Sequence, residues 1–263
     1  MYAFTYERPA ALADALKFAQ AGARPLAGGQ TLLASMKLRL AAPEQIVDLG
    51  AVPELRGICR DGDALVIGAM TRHCDVAESA EVRAAIPALA QLAGGIGDKQ
   101  VRARGTIGGS VANNDPAADY PAALMALGAT VHTTARAIAA ADFFQGLFAT
   151  ALQEGELITS VRFPIPQKAA YVKFAQPASR FAMIGVFVAQ TDAGARVAVT
   201  GGGNGVFRHA AMEQALDASF TPTALAGVPT DEEQMSGDLH ASSAYRAHLV
   251  GVMAQRAVAQ ALA

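Results

Sequence analysis

Two short glycine runs constrain this chain more than any other feature. The first is Leu26-Ala27-Gly28-Gly29-Gln30-Thr31-Leu32, and the second is Thr106-Ile107-Gly108-Gly109-Ser110. Arg24-Pro25-Leu26 reads as a short strand, and a helix is expected over about 32–38. Strand, glycine turn and helix start make a ready anion site. Glycine lets the backbone come close to a ligand, and the first N–H groups of a helix lack partners inside it. Gln30 or Thr31 can add a side-chain hydrogen bond. The second run leads to Asp115-Pro116-Ala117-Ala118-Asp119. There Pro116 suits the first helical position with Asp115 as its cap. Asp119, one turn further, is placed to accept from ribose hydroxyls. Either run alone also reads as a tight turn before a capped helix, with an acidic first turn complementing the helix dipole. Two in one chain shift that balance. A diphosphate bridging two nucleotide halves needs donors on both sides, and glycine loops from neighbouring lobes can supply them.

Other phosphate and dinucleotide signatures are absent. No GxxxxGK[ST] occurs, which argues against a P-loop nucleotidase. No GxGxxG joins a strand to a helix, and the clusters at 94–97 and 201–205 fail its spacing, so a Rossmann site is not expected. The two cysteines, Cys59 and Cys74, have fourteen residues between them. That spacing is neither a disulfide framework nor a CxxC pair, and two thiolates cannot hold a four-cysteine iron–sulfur cluster. The histidines show no metal-ligand spacing, and no nucleophile–base set stands out. A formal net charge of −2 gives no reason to expect nucleic acid or an anionic membrane as partner. Apolar runs are broken well short of a membrane span, and the N-terminal residues do not read as a signal peptide. Reduced cysteines and these absences fit a cytoplasmic setting.

The periodicity predicts an α+β chain of about three lobes. In 1–50, a helix over 9–20 precedes the first glycine run, and Ile46–Leu49 closes the unit as a strand. In 51–166, Ala64–Gly68, 129–134 and 157–163 read as strands and Val82–Leu92 as a helix. Arg102 and Arg104 read as alternating charges on a strand-like segment, and a helix is expected to open at Asp115-Pro116. Pro164-Ile165-Pro166 marks a boundary. In 167–263, strands over 181–190 and 195–200 flank a hairpin turn at 191–194, and helices are expected over 208–216 and 242–262.

On these residues the sequence resembles the FAD-binding medium subunits of molybdenum hydroxylases, the family of carbon monoxide dehydrogenase and xanthine dehydrogenase flavoproteins. The likeness runs through Pro25-Leu-Ala-Gly-Gly-Gln-Thr-Leu-Leu33 and through the Val101–Asp119 block. It continues in Glu156–Thr159, Lys173–Ala182, Leu239–Ser242 and Tyr245–Leu249, in order over nearly the whole chain. The resemblance implies a two-lobed FAD-binding domain of the vanillyl-alcohol oxidase/MurB kind, followed by a C-terminal α+β domain. It implies the FAD diphosphate on 26–32 and 106–110, with Asp119 at the adenosine ribose. Ile158 would lie near the adenine and Ile96 near the flavin, with Lys173 as a further cofactor contact. It also implies partners: a large subunit with molybdopterin and a small subunit with two [2Fe-2S] clusters, assembled as a dimer of heterotrimers. Electrons would pass from those clusters through FAD to an external acceptor, with no catalytic acid, base or metal ligand in this chain. Ser110, Asn114 and Asp98 depart from the residues common at their positions. Tyr171 is a further candidate for the flavin side, with nothing local to fix it. The competing readings are a stand-alone FAD-dependent oxidoreductase of the same fold and a binding module in which the glycine loops are only structural.

Overall fold

The computed structural model describes residues 1–263, and three sheets divide it. The first lobe is small. It contains β1 (Thr5–Glu7), α1 (Leu12–Gln20), β2 (Arg24–Leu26), α2 (Leu32–Lys37) and β3 (Gln45–Asp48). Its strands pair in parallel in the order β1-β3-β2, with Leu26 opposite Asp48. Parallel pairing requires crossovers, and α1 and α2 supply them. Its largest core cluster joins Ala15, Ala19, Val47 and Leu49 to Met70 and Leu157 of the next lobe, so lobe 1 completes its core on its neighbour.

The second lobe carries β4 (Ile58–Asp61), β5 (Ala64–Gly68), α3 (His73–Glu78), α4 (Ala80–Ala85), α5 (Pro87–Gly94), α6 (Lys99–Arg104), α7 (Ile107–Asn113), α8 (Tyr120–Leu127), β6 (Thr130–Thr133), β7 (Ala137–Ala139), α9 (Ala140–Phe143) and β8 (Ile158–Pro164). Its antiparallel sheet has the order β4-β5-β8-β6-β7. Helix α8, Tyr-Pro-Ala-Ala-Leu-Met-Ala-Leu, is apolar on nearly every side and buried on nearly every side, as such a helix must be.

The third unit is a meander, β9 (Lys168–Ala175), β10 (Ala182–Thr191), β11 (Gly194–Thr200) and β12 (Phe207–Arg208), followed by α10 (Ala210–Ala218) and α11 (Ser243–Leu262). Helix α11 lays Leu249, Val250, Met253, Ala257 and Val258 on the sheet. The other face of the sheet packs Tyr171, Phe187 and Ala198 into the core of lobe 2. No helix is long and apolar enough to cross a membrane.

Three expectations need correction. Lys99–Arg104 is helical rather than strand-like, because Asp98 caps it by accepting from Val101 N–H at 2.8 Å. Gly108 and Gly109 do not precede a helix but form the first turn of α7, capped by Thr106. The helix expected at Asp115-Pro116 begins instead at Tyr120, because Asp115 spends its carboxylate on the Ala117 N–H in a local turn (2.9 Å). Asp119 is therefore the residue preceding α8, not one turn inside it.

Candidate functional site

A cleft of about 870 Å³ lies between lobes 1 and 2 and is closed at one end by the β9–β10 turn. Leu26, Ala27, Gly28, Gly29, Gln30, Thr31 and Leu32 line it, as do Thr106, Gly108, Gly109, Ser110, Ile96, Asp119 and Ile158. Two residues expected at the site stand behind this surface. Ile107 has its side chain wholly within the lobe 2 core. Lys173 reaches towards the cleft from β9, with its ammonium held by protein atoms.

The two glycine loops touch. A Cβ on Gly28 would fall 2.2 Å from the Arg104 carbonyl oxygen and 2.7 Å from Gly105 Cα. A Cβ on Gly109 would meet Ala27 Cβ at 3.3 Å and Thr106 Oγ1 at 2.9 Å. Gly108 is different. A Cβ there would lie 2.6 Å from Ala69 Cβ, so this glycine lets α7 settle on the chain leaving β5.

The donors sit on one side only. The N–H groups of Gly28, Gly29, Gln30, Thr31 and Leu32 have no acceptor anywhere in the chain. Gly29 has φ +74°, the left-handed setting that turns successive N–H groups into a concave nest. In the second loop the donors are taken. Ile107 N–H goes to Thr71 O at 3.1 Å, Gly108 N–H to Ala69 O at 2.8 Å and Gly109 N–H to Thr106 Oγ1 at 3.1 Å. What α7 leaves for a ligand is its first-turn dipole and the Ser110 hydroxyl, which makes no hydrogen bond within the chain. The expectation of free donors in both loops is thus corrected: those of 28–32 are free, and those of 107–109 are used within the chain. This donor set, beside glycines whose Cβ would collide with the facing wall, suits a diphosphate.

At one end of the cleft, Lys173 Nζ donates to Asp119 Oδ1 and Oδ2 at 3.0 and 3.1 Å. It also donates to Gly95 O at 2.9 Å and Arg180 O at 2.8 Å. Tyr171 Oη also donates to Asp119. Burial pushes the Asp119 carboxyl up, against the pull of Lys173 and Tyr171. Lys173 joins Asp119 to Gly95, the neighbour of Ile96, so Asp119 and Ile96 lie at the same end of the cleft. Tyr171 stands behind Asp119 rather than in the cleft, and Gly185 leaves room for its hydroxyl: a Cβ there would lie 2.3 Å away. Arg102 faces neither a diphosphate nor solvent alone; its Nη1 donates to Ile96 O and Gly97 O at 2.9 and 2.8 Å and fixes that turn.

At the other end, Glu154 and Glu156 lie beside Leu157, and Gly155 abuts Gln20 of α1. Burial alone would push the Glu156 carboxyl up. Hydrogen bonds from Arg136, Thr133 and the Gln153 N–H carry it down to about 2. His73 lies under Gly105. Burial first, then the Arg102 charge, lowers its imidazole to about 4. Sequence reasoning missed His73, the 148–154 wall and the Ser179–Phe181 turn.

The free donors of 28–32 and the close glycine walls of the cleft suit an extended, diphosphate-containing cofactor. Residues 2–166 match the family described as "FAD binding domain in molybdopterin dehydrogenase", and the chain belongs to that family. It is an oxidoreductase subunit with FAD as its cofactor. The carbon monoxide dehydrogenase medium chain of Afipia carboxidovorans is 36% identical over 279 residues, covering 99% of this chain and 97% of that one. The glyceraldehyde dehydrogenase medium chain of Sulfolobus acidocaldarius is 38% identical over 194 residues, 71% of this chain and 69% of that one. Among solved structures, a reconstituted CO dehydrogenase from Oligotropha carboxidovorans superposes with a TM-score of 0.92 at 34% identity, covering 99% of this chain and 98% of that chain. The fold is therefore the two-lobed FAD-binding domain with a C-terminal α+β domain.

Proposed function

We propose that this chain is the electron-transfer subunit of a multi-subunit molybdenum hydroxylase. It takes electrons from [2Fe-2S] clusters of a small partner subunit and passes them to an external acceptor. The observation that carries this reading is the cleft itself. It offers five free backbone donors, at 28–32, to a diphosphate. Bound FAD supplies the one- and two-electron chemistry. The chain's own residues hold and shield it. The N–H groups of 28–32 bind the diphosphate, Ser110 adds a hydroxyl, and Gly28 and Gly109 keep the walls close. Ile96, Asp119 and Lys173 form the flavin end, where Lys173 compensates the buried Asp119 charge. Ile158 serves the adenine end.

The partners are a molybdopterin-bearing large subunit and the iron–sulfur small subunit, in a dimer of heterotrimers in the cytoplasm. The relatives act on carbon monoxide and glyceraldehyde by name, which fits a substrate chosen elsewhere than in this chain. The test is to purify the chain from its source cells through an affinity tag and measure FAD, iron and molybdenum against protein. FAD with two co-purifying chains carrying iron and molybdenum is expected. A flavin-loaded chain that turns over a substrate unaided, without molybdenum or iron, would replace this reading with a stand-alone FAD oxidoreductase.

A further inference from the structure

Two large apolar side chains lining the cleft are exposed, Phe148 and Phe181, and of the two only Phe148 has a strained backbone. Phe148 is 57% exposed and lines the cleft, yet its backbone sits at φ +53°, in the left-handed region that bulky L-residues avoid. The conformation is imposed from outside. Asn114, buried and itself at φ +44°, donates from Nδ2 to Gly146 O at 2.8 Å and to Ala149 O at 2.7 Å, gripping the chain on both sides of Phe148. The Phe148 N–H in turn donates to Asn114 O at 3.3 Å. Asn114 leaves its own Oδ1 buried without a partner to do so. A strained backbone fixed by a buried polar residue, with an apolar ring held out towards an open cleft, is the pattern of a ligand contact rather than of packing.

The position sets which part of the ligand it meets. Asn114 caps the C-terminal end of α7, about 10 Å along the helix from the loop at its N-terminus. From there the chain runs through Asp115 to Asp119, at the end of the cleft marked by Ile96 and Lys173. We propose that Phe148 is a cofactor-positioning residue that packs its ring on the isoalloxazine of FAD and shields one face from water. Asn114 acts through it by holding the loop. This rests on the chain holding FAD in the orientation proposed above.

The test uses the protein purified from its source cells, with any chains that accompany it. Phe148→Ala, Phe148→Trp and Phe148→Gly are compared with the parent. Loss of one stacked ring weakens FAD binding by roughly 2- to 10-fold in Phe148→Ala and Phe148→Gly. Phe148→Trp is expected to add a charge-transfer shoulder on the long-wavelength side of the flavin band, which a merely structural residue would not produce. Phe148→Gly also relieves the left-handed strain, so the flavin-free protein melts about 2–4 °C higher while binding FAD more weakly. Unchanged FAD affinity and unchanged spectra in all three would overturn the assignment and leave the FAD cleft standing. Failure of the parent to take up FAD at all would overturn both.

Discussion

Gly28→Ala tests the cleft at the point where its two walls meet. The added Cβ would stand 2.2 Å from the Arg104 carbonyl oxygen, 2.7 Å from Gly105 Cα and 2.8 Å from the Arg104 carbonyl carbon. All three are backbone atoms, so no side chain can swing aside. Restoring an ordinary contact of 3.4 Å requires loop 26–32 to move by roughly 1.2 Å, the difference between 3.4 and 2.2. Overpacking of this kind costs about 1–3 kcal/mol in the folded protein. The same movement takes the N–H groups of 28–32 off the diphosphate. Losing one or two charge-assisted hydrogen bonds, at about 1.5–3 kcal/mol in all, weakens FAD binding roughly 10- to 150-fold. Equilibrium dialysis against FAD measures the affinity, and thermal melting of the flavin-free chain measures the packing cost separately. Gly94→Ala is the control. Its Cβ would meet only Ala77 Cβ at an ordinary 3.7 Å, so FAD affinity should not change and stability should rise by up to about 1 kcal/mol. Gly28→Ala binding FAD as tightly as the parent would refute the assignment of loop 26–32 as the donor wall.

Three further outcomes follow from the charges around the cleft. Lys173→Met leaves the Asp119 carboxylate buried without its cation, and should cost about 3–5 kcal/mol in urea unfolding. Adding Asp119→Asn should recover much of that loss, and a purely additive double variant would show that the pair is not coupled. His73 has its folded pKa lowered to about 4, so below its usual value of 6.5 the unfolded chain takes up the proton first. Stability should then fall by about 3 kcal/mol between pH 7 and 4, and His73→Gln should flatten that slope in unfolding midpoints measured across the range. Glu156 has the same sign, because its folded pKa is also lowered, but it acts in a lower pH window. Its carboxylate is held down to about 2, so its contribution is complete above the ordinary value of 4.5 and fades as the pH falls towards 2. Glu156→Gln should cost about 1 kcal/mol at pH 7 by chemical denaturation, and the difference should close near pH 2.

Much of this architecture could be read from the sequence because it follows from local rules. The parallel lobe shows as strand–glycine–helix, and the hairpin at 191–194 as Thr-Asp-Ala-Gly between β-rich runs. The failures were tertiary. Nothing in Gly108-Gly109 says that Ala69 and Thr71 will consume the neighbouring N–H groups, because those acceptors are about forty residues away in sequence. Asp115-Pro116 carries a good helix-start signal, but its carboxylate closes a turn that postpones the helix to Tyr120. The local pattern at 115–119 gives no sign that Lys173 will reach both Asp119 oxygens from another sheet. The Phe148 conformation leaves no trace in residue type. Only Asn114, a residue that tolerates the left-handed region, hints at the irregular backbone nearby.

The one-sided cradle has a consequence for how the protein is put together. Lobe 1 carries the free donors but has a small core of its own, whose largest cluster is completed by Met70 and Leu157 from lobe 2. Lobe 2 supplies 27 of the 31 buried residues in its core cluster, the other four (Tyr171, Phe187, Ala189 and Ala198) coming from the third unit. A cofactor bound to lobe 1 donors while seated against α7 ties the weaker lobe to the stronger one. By linkage, such a ligand stabilises whichever opening separates the two contacts. Amide exchange should therefore slow on FAD binding chiefly in β2, α2 and the intervening 27–31 loop, with much smaller changes in β5 and β8. Protection rising equally in both lobes would mean that they open as one unit, and the separate docking of lobe 1 would have to be abandoned.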